Sequence, residues 1–246
     1  MYIKIYQIVF FIIIFFTKII AAEAYFDISE NNIKIETNFN GKEVIIFGIL
    51  NDNQETIITI KGPEKNSIIQ KKERILGFWF NAKKITYNKI PSIFFIASSD
   101  NIKNILPTST IIKEELSFEY LLENKLSKRN FISDVPLDTW KSNFVRIKKS
   151  KDLFKEYIIE KIDNKLFQTR VFFPAKSIPG EYKVNVYQIK NNVILNNKEK
   201  IITLKKSGMG SHIYDFAHNH SAAYGFFTII FAVLSGLLAA TLFRRS

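Results

Sequence analysis

Three histidines crowd the stretch before the last hydrophobic run: His212, His218 and His220, with Asp215 among them. On a helix His212, Asp215 and His218 recur every three residues and share a stripe, where imidazole and carboxylate could hold zinc or copper. Small polar residues at a water-membrane boundary produce the same spacing, and no second motif supports a metal. No metal site and no cofactor are therefore assigned. Cations form the other chemical set: Lys71, Lys72 and Arg74 lead into the aromatic run Phe78, Trp79 and Phe80, with further clusters at Lys83 and Lys84 and from Arg146 to Lys151. If Lys71, Lys72 and Arg74 fold beside the aromatic run, they make an anion-binding site flanked by apolar surface. A charged strand edge that discourages further pairing would use the same residues.

Catalytic chemistry has no visible carrier. The chain holds no nucleophile elbow, P-loop, dinucleotide fingerprint or HExxH, and its acidic residues offer no pair for acid and base roles. Catalytic residues are therefore none, and the chain is expected not to be an enzyme. Cysteine is absent, which removes thiol catalysis, redox function and zinc-thiolate sites together. An exported body without disulfides must rest on a hydrophobic core.

The two ends decide where such a body would sit. Residues 1–24 carry Lys4, an apolar run from Ile5 to Phe16, and a close on Ala22, Glu23 and Ala24, the small-x-small pattern of signal-peptidase cleavage. Tyr25 would then be the first mature residue. The run is too short to span a bilayer comfortably, and Lys18 follows it. At the other end residues 222–243 contain no charge, and at ~1.5 Å per residue they reach ~33 Å, the thickness of a hydrocarbon core. Arg244 and Arg245 follow at once, which favours a cytoplasmic C-terminus and leaves the body outside. Along this span Ala232, Gly236 and Ala240 recur every four residues, a smooth helix-packing face where a second membrane helix could approach closely.

The whole chain has 35 basic and 23 acidic residues, a net charge of +12. Setting aside residues 1–24, which carry +1, and the two terminal arginines leaves +9 for the exported part. Such a surface attracts anionic headgroups or solutes. An AT-rich genome would also supply these lysines, together with the abundant Ile, Asn, Phe and Tyr. The location disfavours nucleic acid as a partner.

Between the ends, period-two alternation predicts strands. Ile33, Ile35, Thr37 and Phe39 alternate with polar residues; Val44 to Leu50 resembles a strand buried on both sides; Thr56 to Lys61 ends at Gly62 and Pro63. Further strands are expected around Ile68 to Gln70, Ile75 to Phe80 and Ile93 to Ala97, and later over Leu166 to Phe173 and Tyr182 to Val186, with Val193 to Leu195 and Ile201 to Leu204 forming a last strand or pair of strands. Asn191 and Asn192 suit a tight hairpin. Helical spacing predicts one helix over Thr110 to Lys128 and a second after Pro136, whose face carries Leu137, Trp140, Phe144 and Ile147 while Lys141, Lys148 and Lys149 mostly lie off it. The expected fold is mainly β, an immunoglobulin-like antiparallel β-sandwich with a helical insertion at about 108–157, plus one C-terminal transmembrane helix. The expected divisions are a signal peptide at 1–24, a periplasmic domain at 25–206, a juxtamembrane linker at 207–221, the membrane helix at 222–243 and a tail at 244–246.

Short phrases in a fixed order carry a resemblance across nearly the whole mature chain. They are Gly62-Pro63, the stretch from Lys71 to Asn81, the stretch from Pro91 to Ser99, Leu166 and Phe167 with Pro174 and Ala175, then Pro179, Gly180 and Tyr182. Tyr224 and Gly225 open the final helix, and Phe243, Arg244 and Arg245 close it. In these the chain resembles the Alph_Pro_TM family of transmembrane proteins from alphaproteobacteria. It departs from the pattern in having lysines where arginines are expected in the first basic stretch, which weakens bidentate anion binding there. The resemblance implies a single-pass protein of the bacterial inner membrane with its bulk in the periplasm, and an association with permeases. A non-catalytic accessory subunit of a transporter-like membrane complex is the expected function. Its partners would be the lipid bilayer and a multi-spanning membrane protein or a second copy of the chain. The alternative is a periplasmic binding module for an anionic solute or lipid headgroup.

Overall fold

Branched and aromatic side chains at alternate positions pack well on a pleated surface, and they draw most of this chain into strands. The computed structural model describes residues 26–50, 54–130, 136–163 and 165–243. The expected leader, Tyr25, Arg244 and Arg245 lie outside these. The strands are β1 (Phe26–Ile28), β2 (Asn32–Ile35), β3 (Gly41–Ile49), β4 (Glu55–Lys61), β5 (Glu64–Ile75), β6 (Phe78–Pro91) and β7 (Phe94–Ser98). They continue with β8 (Leu126–Arg129), β9 (Phe154–Ile158), β10 (Glu160–Ile162), β11 (Leu166–Pro174), β12 (Gly180–Lys190) and β13 (Val193–Lys206). Helices are α1 (Ile102–Ile105), α2 (Thr108–Lys113), α3 (Leu137–Lys149), α4 (Met209–Asn219) and α5 (Ser221–Phe243), with a 3-10 turn at Tyr120–Leu122.

Three sheets form, in the orders β1-β3-β11-β10, β2-β13-β12-β4-β7-β9 and β5-β6-β8. Pairing is antiparallel except at the two edges of the six-stranded sheet, where β2 runs parallel to β13 and β9 parallel to β7. The four-stranded and six-stranded sheets close over one core, with Val44, Ile46, Phe167, Val171 and Phe173 meeting Ile58, Ile60, Phe95, Tyr182 and Val184. On its other face the six-stranded sheet presents Ile57, Phe94, Ile96, Tyr187 and Ile189 to a second core. Ile85, Tyr87 and Ile90 of the small sheet cover that core together with Trp140 and Phe144 of α3. The six-stranded sheet is thus the middle of three layers. For this reason β4 is buried along both faces, whereas the expected doubly buried strand, β3, belongs to an outer layer and leaves Phe47 and Ile49 exposed.

Other expectations shift for local reasons. β2 ends at Ile35 rather than Phe39, whose N–H closes a turn onto the Glu36 carbonyl at 3.1 Å. Helix fills less of 108–157 than expected, and Phe154 already belongs to β9. The predicted Thr110–Lys128 helix stops at α2 because Glu115 turns left-handed at φ 51. There the Glu115 and Leu116 amides bond back to Ile112 and Ile111, the double closure of a Schellman cap. Glycine usually takes that position. Here the Glu115 carboxylate is held by Lys61 at 2.9 Å and Lys125 at 3.0 Å. Helix α3 forms as predicted, but its buried stripe is Trp140, Phe144 and Lys148, while Ile147 is partly exposed.

The expected strand from Ile75 to Phe80 is a hairpin instead. Leu76 at φ 50 and Gly77 at φ 89 make a two-residue turn between β5 and β6, and Ile75 pairs with Phe78. Positive φ at both positions matches the right-handed twist of the flanking strands, and glycine takes the second without steric cost. Asn191 and Asn192 turn the β12-β13 hairpin in the same way, as expected, with φ 51 and 63. At the family-like Gly62, an added Cβ would lie 2.5 Å from Ser92 Oγ and 2.6 Å from the Tyr182 ring, so glycine lets the chain pass this corner.

Candidate functional site

The β5-β6 hairpin brings the first basic cluster and the aromatic run together. Arg74 pairs across the ribbon with Trp79, Glu73 with Phe80, and Lys72 with Asn81. A register shift follows, so that Lys71 faces Lys83. Because strand side chains alternate between faces, Lys71, Glu73, Ile75, Phe78 and Phe80 share one side, while Lys72, Arg74 and Trp79 share the other. The three predicted anion ligands are therefore neighbours along the ribbon but do not converge on one pocket. Glu73 lies 3.4 Å from Lys71 Nζ and 3.6 Å from Lys83 Nζ, and Arg74 Nε donates to the Gly77 carbonyl at 3.2 Å. Exposed pairs of this kind contribute only about 0–1 kcal/mol. Lys71 and Lys72 also border a cleft of about 430 Å³ against α3, with Arg146 on the far wall.

The tip is apolar on both faces. Leu76 is 94% exposed, Phe78 72% and Trp79 68%, with Ile75 and Phe80 about half exposed. Among the described residues β8 pairs with β6 as far as Ile85, with Asn130 adding bonds at Lys84, and β5 and β6 alone carry these side chains beyond that point.

Helix α5 is long and apolar enough to cross a membrane, and none of its span is covered by the rest of the chain. At ~1.5 Å per residue its 23 residues extend ~34 Å. Ala232, Gly236 and Ala240 fall on one side of it, where a Cβ added at Gly236 would meet nothing within 4 Å. The histidine stripe lies on α4, ahead of the span. There His218 Nδ1 sits 3.0 Å from the Tyr214 carbonyl and its ring stacks on Tyr214 at 3.9 Å. The side chains of His212 and Asp215 lie outside the described residues.

Two features were not legible in the sequence. One is a cleft of about 550 Å³ lined by Phe118, Tyr120, Glu123, Lys141, Arg146 and Glu156. Its two lysines already face carboxylates, Lys141 at 3.3 Å from Glu123 and Lys149 at 3.0 Å from Glu156, while Arg146 donates to Asn143 Oδ1 at 3.2 Å. The other is Lys148, a buried lysine whose ammonium sits over the Phe144 ring at 5.5 Å and the Phe154 ring at 5.3 Å. Burial, then repulsion from Lys65 and Lys151, pushes its pKa down to about 8. The spacing of four from Trp140 through Phe144 to Lys148 was the available signal, because it puts the lysine on the core stripe.

The sequence model of one family, described as "Putative transmembrane protein (Alph_Pro_TM)", matches residues 23–245. No curated protein and no solved structure matches the chain.

Proposed function

From the premise that this chain belongs to the Alph_Pro_TM family, we propose that it is a non-catalytic accessory subunit docked to a membrane protein through α5. In this reading a cleaved signal peptide at 1–24 exports the body, the arginines after α5 keep the C-terminus cytoplasmic, and the strand-rich body stands in the periplasm of a bacterial inner membrane. The observation that carries the reading is the bare face of Ala232, Gly236 and Ala240 on an otherwise bulky span. Lipid tails are as apolar as leucine, so hydrophobicity does not draw two membrane helices together. Close packing along small residues does. A multi-spanning, transporter-like protein fits such a face, and so does a second copy of the chain.

The test is Gly236→Leu. The substitution keeps α5 long and apolar, so membrane localisation should survive, while capture from native membranes should lose the partner or the second copy. Leu237→Ala, on another side of the helix, should change neither. Identical partners recovered with wild type and Gly236→Leu would make α5 a plain anchor.

A further inference from the structure

We propose that the β5-β6 hairpin is a membrane-dipping finger, seated by its apolar tip in the headgroup region of an anionic phospholipid bilayer. This stands apart from the accessory-subunit reading, since it concerns a different part of the molecule and would survive the loss of a helix partner.

An outer antiparallel sheet commonly presents one apolar face to the protein and keeps the other wet. Here Phe78, Trp79 and Phe80 are consecutive, so they point alternately to the two sides of the ribbon, and all three are exposed. Leu76 crowns the turn that precedes them. A tip with exposed aromatic rings on both sides suits a medium that surrounds it, and the bilayer interface is such a medium for tryptophan and phenylalanine.

From Gln70 to Ile85 the ribbon holds Lys71, Lys72, Arg74, Lys83 and Lys84 against a single carboxylate, Glu73. The four lysines lie behind the aromatic run, Arg74 sits level with Trp79 and donates to the Gly77 carbonyl, and period-two alternation distributes the five cations over both sides. Phosphates surrounding an inserted tip would meet cations on either face, and basic residues near an anionic surface are attracted to it. A small anion in a pocket would need the set to converge, and only Lys71 and Lys72 share a cleft.

Phe78 to Phe80 rises two residues, ~7 Å at ~3.3 Å each, with the Leu76-Gly77 turn capping it, and this matches the ~5–10 Å by which interfacial elements enter the headgroup and acyl boundary. Each strand of the free ribbon has one unpaired backbone edge, and such edges are not tolerated in hydrocarbon. The finger should therefore stop at the interface. Its root lies at the anchor end of the body. Lys61 pairs with Lys183 and Gly180 with Leu204, so β4 hands over to the hairpin at the same end of the six-stranded sheet from which β13 departs for α4 and α5.

The experiment reconstitutes the full chain into vesicles of phosphatidylcholine alone or mixed equally with phosphatidylglycerol. Trp79 and Trp140 are the only tryptophans, and Trp140 is buried in the second core, so subtracting the signal of Trp79→Phe isolates the finger. In anionic vesicles Trp79 should lose access to acrylamide, shift its emission to the blue and be quenched by lipids brominated high in the acyl chain. Raising salt to ~1 M, where the Debye length falls to ~3 Å, should return it toward water. Changing Lys71, Lys72 and Arg74 together to Gln should do the same while Trp140 emission stays unchanged. Trp79 equally open to acrylamide in both vesicle types would overturn the proposal. Protection in zwitterionic vesicles that rises with protein density would overturn it too, because that is the signature of a protein contact.

Discussion

Replacing Lys148 with methionine removes a positive charge from the second core while keeping an unbranched chain of similar length. Lys148 is only 9% exposed, and burial, followed by Lys65 and Lys151, lowers its pKa from 10.5 to about 8. The direction follows from proton counting. Between about 8 and 10.5 the unfolded chain holds a proton that the folded chain has released, so stability rises with pH across that window. Below about 8 the full cost of burying the ammonium is present; above 10.5 it is gone. At ~1.4 kcal/mol per tenfold change in proton affinity, the ceiling on that cost is ~3 kcal/mol. Water lowers it, since Lys148 borders an open cleft of about 350 Å³. The Phe144 and Phe154 rings under the ammonium also favour the charge, by ~0.5–1 kcal/mol each, and methionine recovers part of that through its sulfur. Lys148→Met should therefore stabilise the body by ~1–2 kcal/mol at pH 7. Urea unfolding of the full chain in detergent micelles measures this, with Trp140 in the same core as reporter. The advantage should shrink as the pH rises from 8 toward 10. A variant less stable than wild type at pH 7, or a gap that does not change with pH, refutes the reasoning.

Glu115→Gln should destabilise by about 1 kcal/mol at neutral pH, discounted for a carboxylate that is one-third exposed. Burial pushes the Glu115 pKa up, but Lys61 and Lys125 outweigh it and hold the group below 4.5. That stabilisation is present above 4.5 and is lost as pH falls through the folded-state value, so denaturant midpoints of wild type and variant should converge in acid. For topology, protease added outside the inner membrane should digest residues 25–210 and leave a tag after Ser246 intact. Protection of the body would reverse the assigned orientation.

Much of the strand pattern was legible because alternation is a local property. Leu166 to Phe173, Tyr182 to Val186 and the Asn191-Asn192 turn all formed where their side chains required. The misreadings share one cause. Val44 to Leu50 and Thr56 to Lys61 are both apolar runs, and only the stacking of three layers covers the second on both sides and the first on one. Ile75 to Phe80 has strand composition throughout, yet Leu76 and Gly77 reverse it, because pairing from Glu64↔Pro91 to Ile75↔Phe78 fixes where the turn must fall. Strands β9 and β10 were missed because neither has an alternating pattern of its own; β9 is held by its parallel alignment with β7.

At the candidate site the division is similar. Cations preceding an aromatic run, a charge-free span of bilayer length and small residues recurring along one side of that span are all readable from the chain alone, since each depends on neighbours within a few positions. Long-range pairing is what leaves the aromatic run exposed at the end of a ribbon, with its cations divided between two faces. Glu115 is likewise clasped by Lys61, a residue 54 positions away. Exposure and burial belong to what other segments leave uncovered, and no window along the chain contains that information.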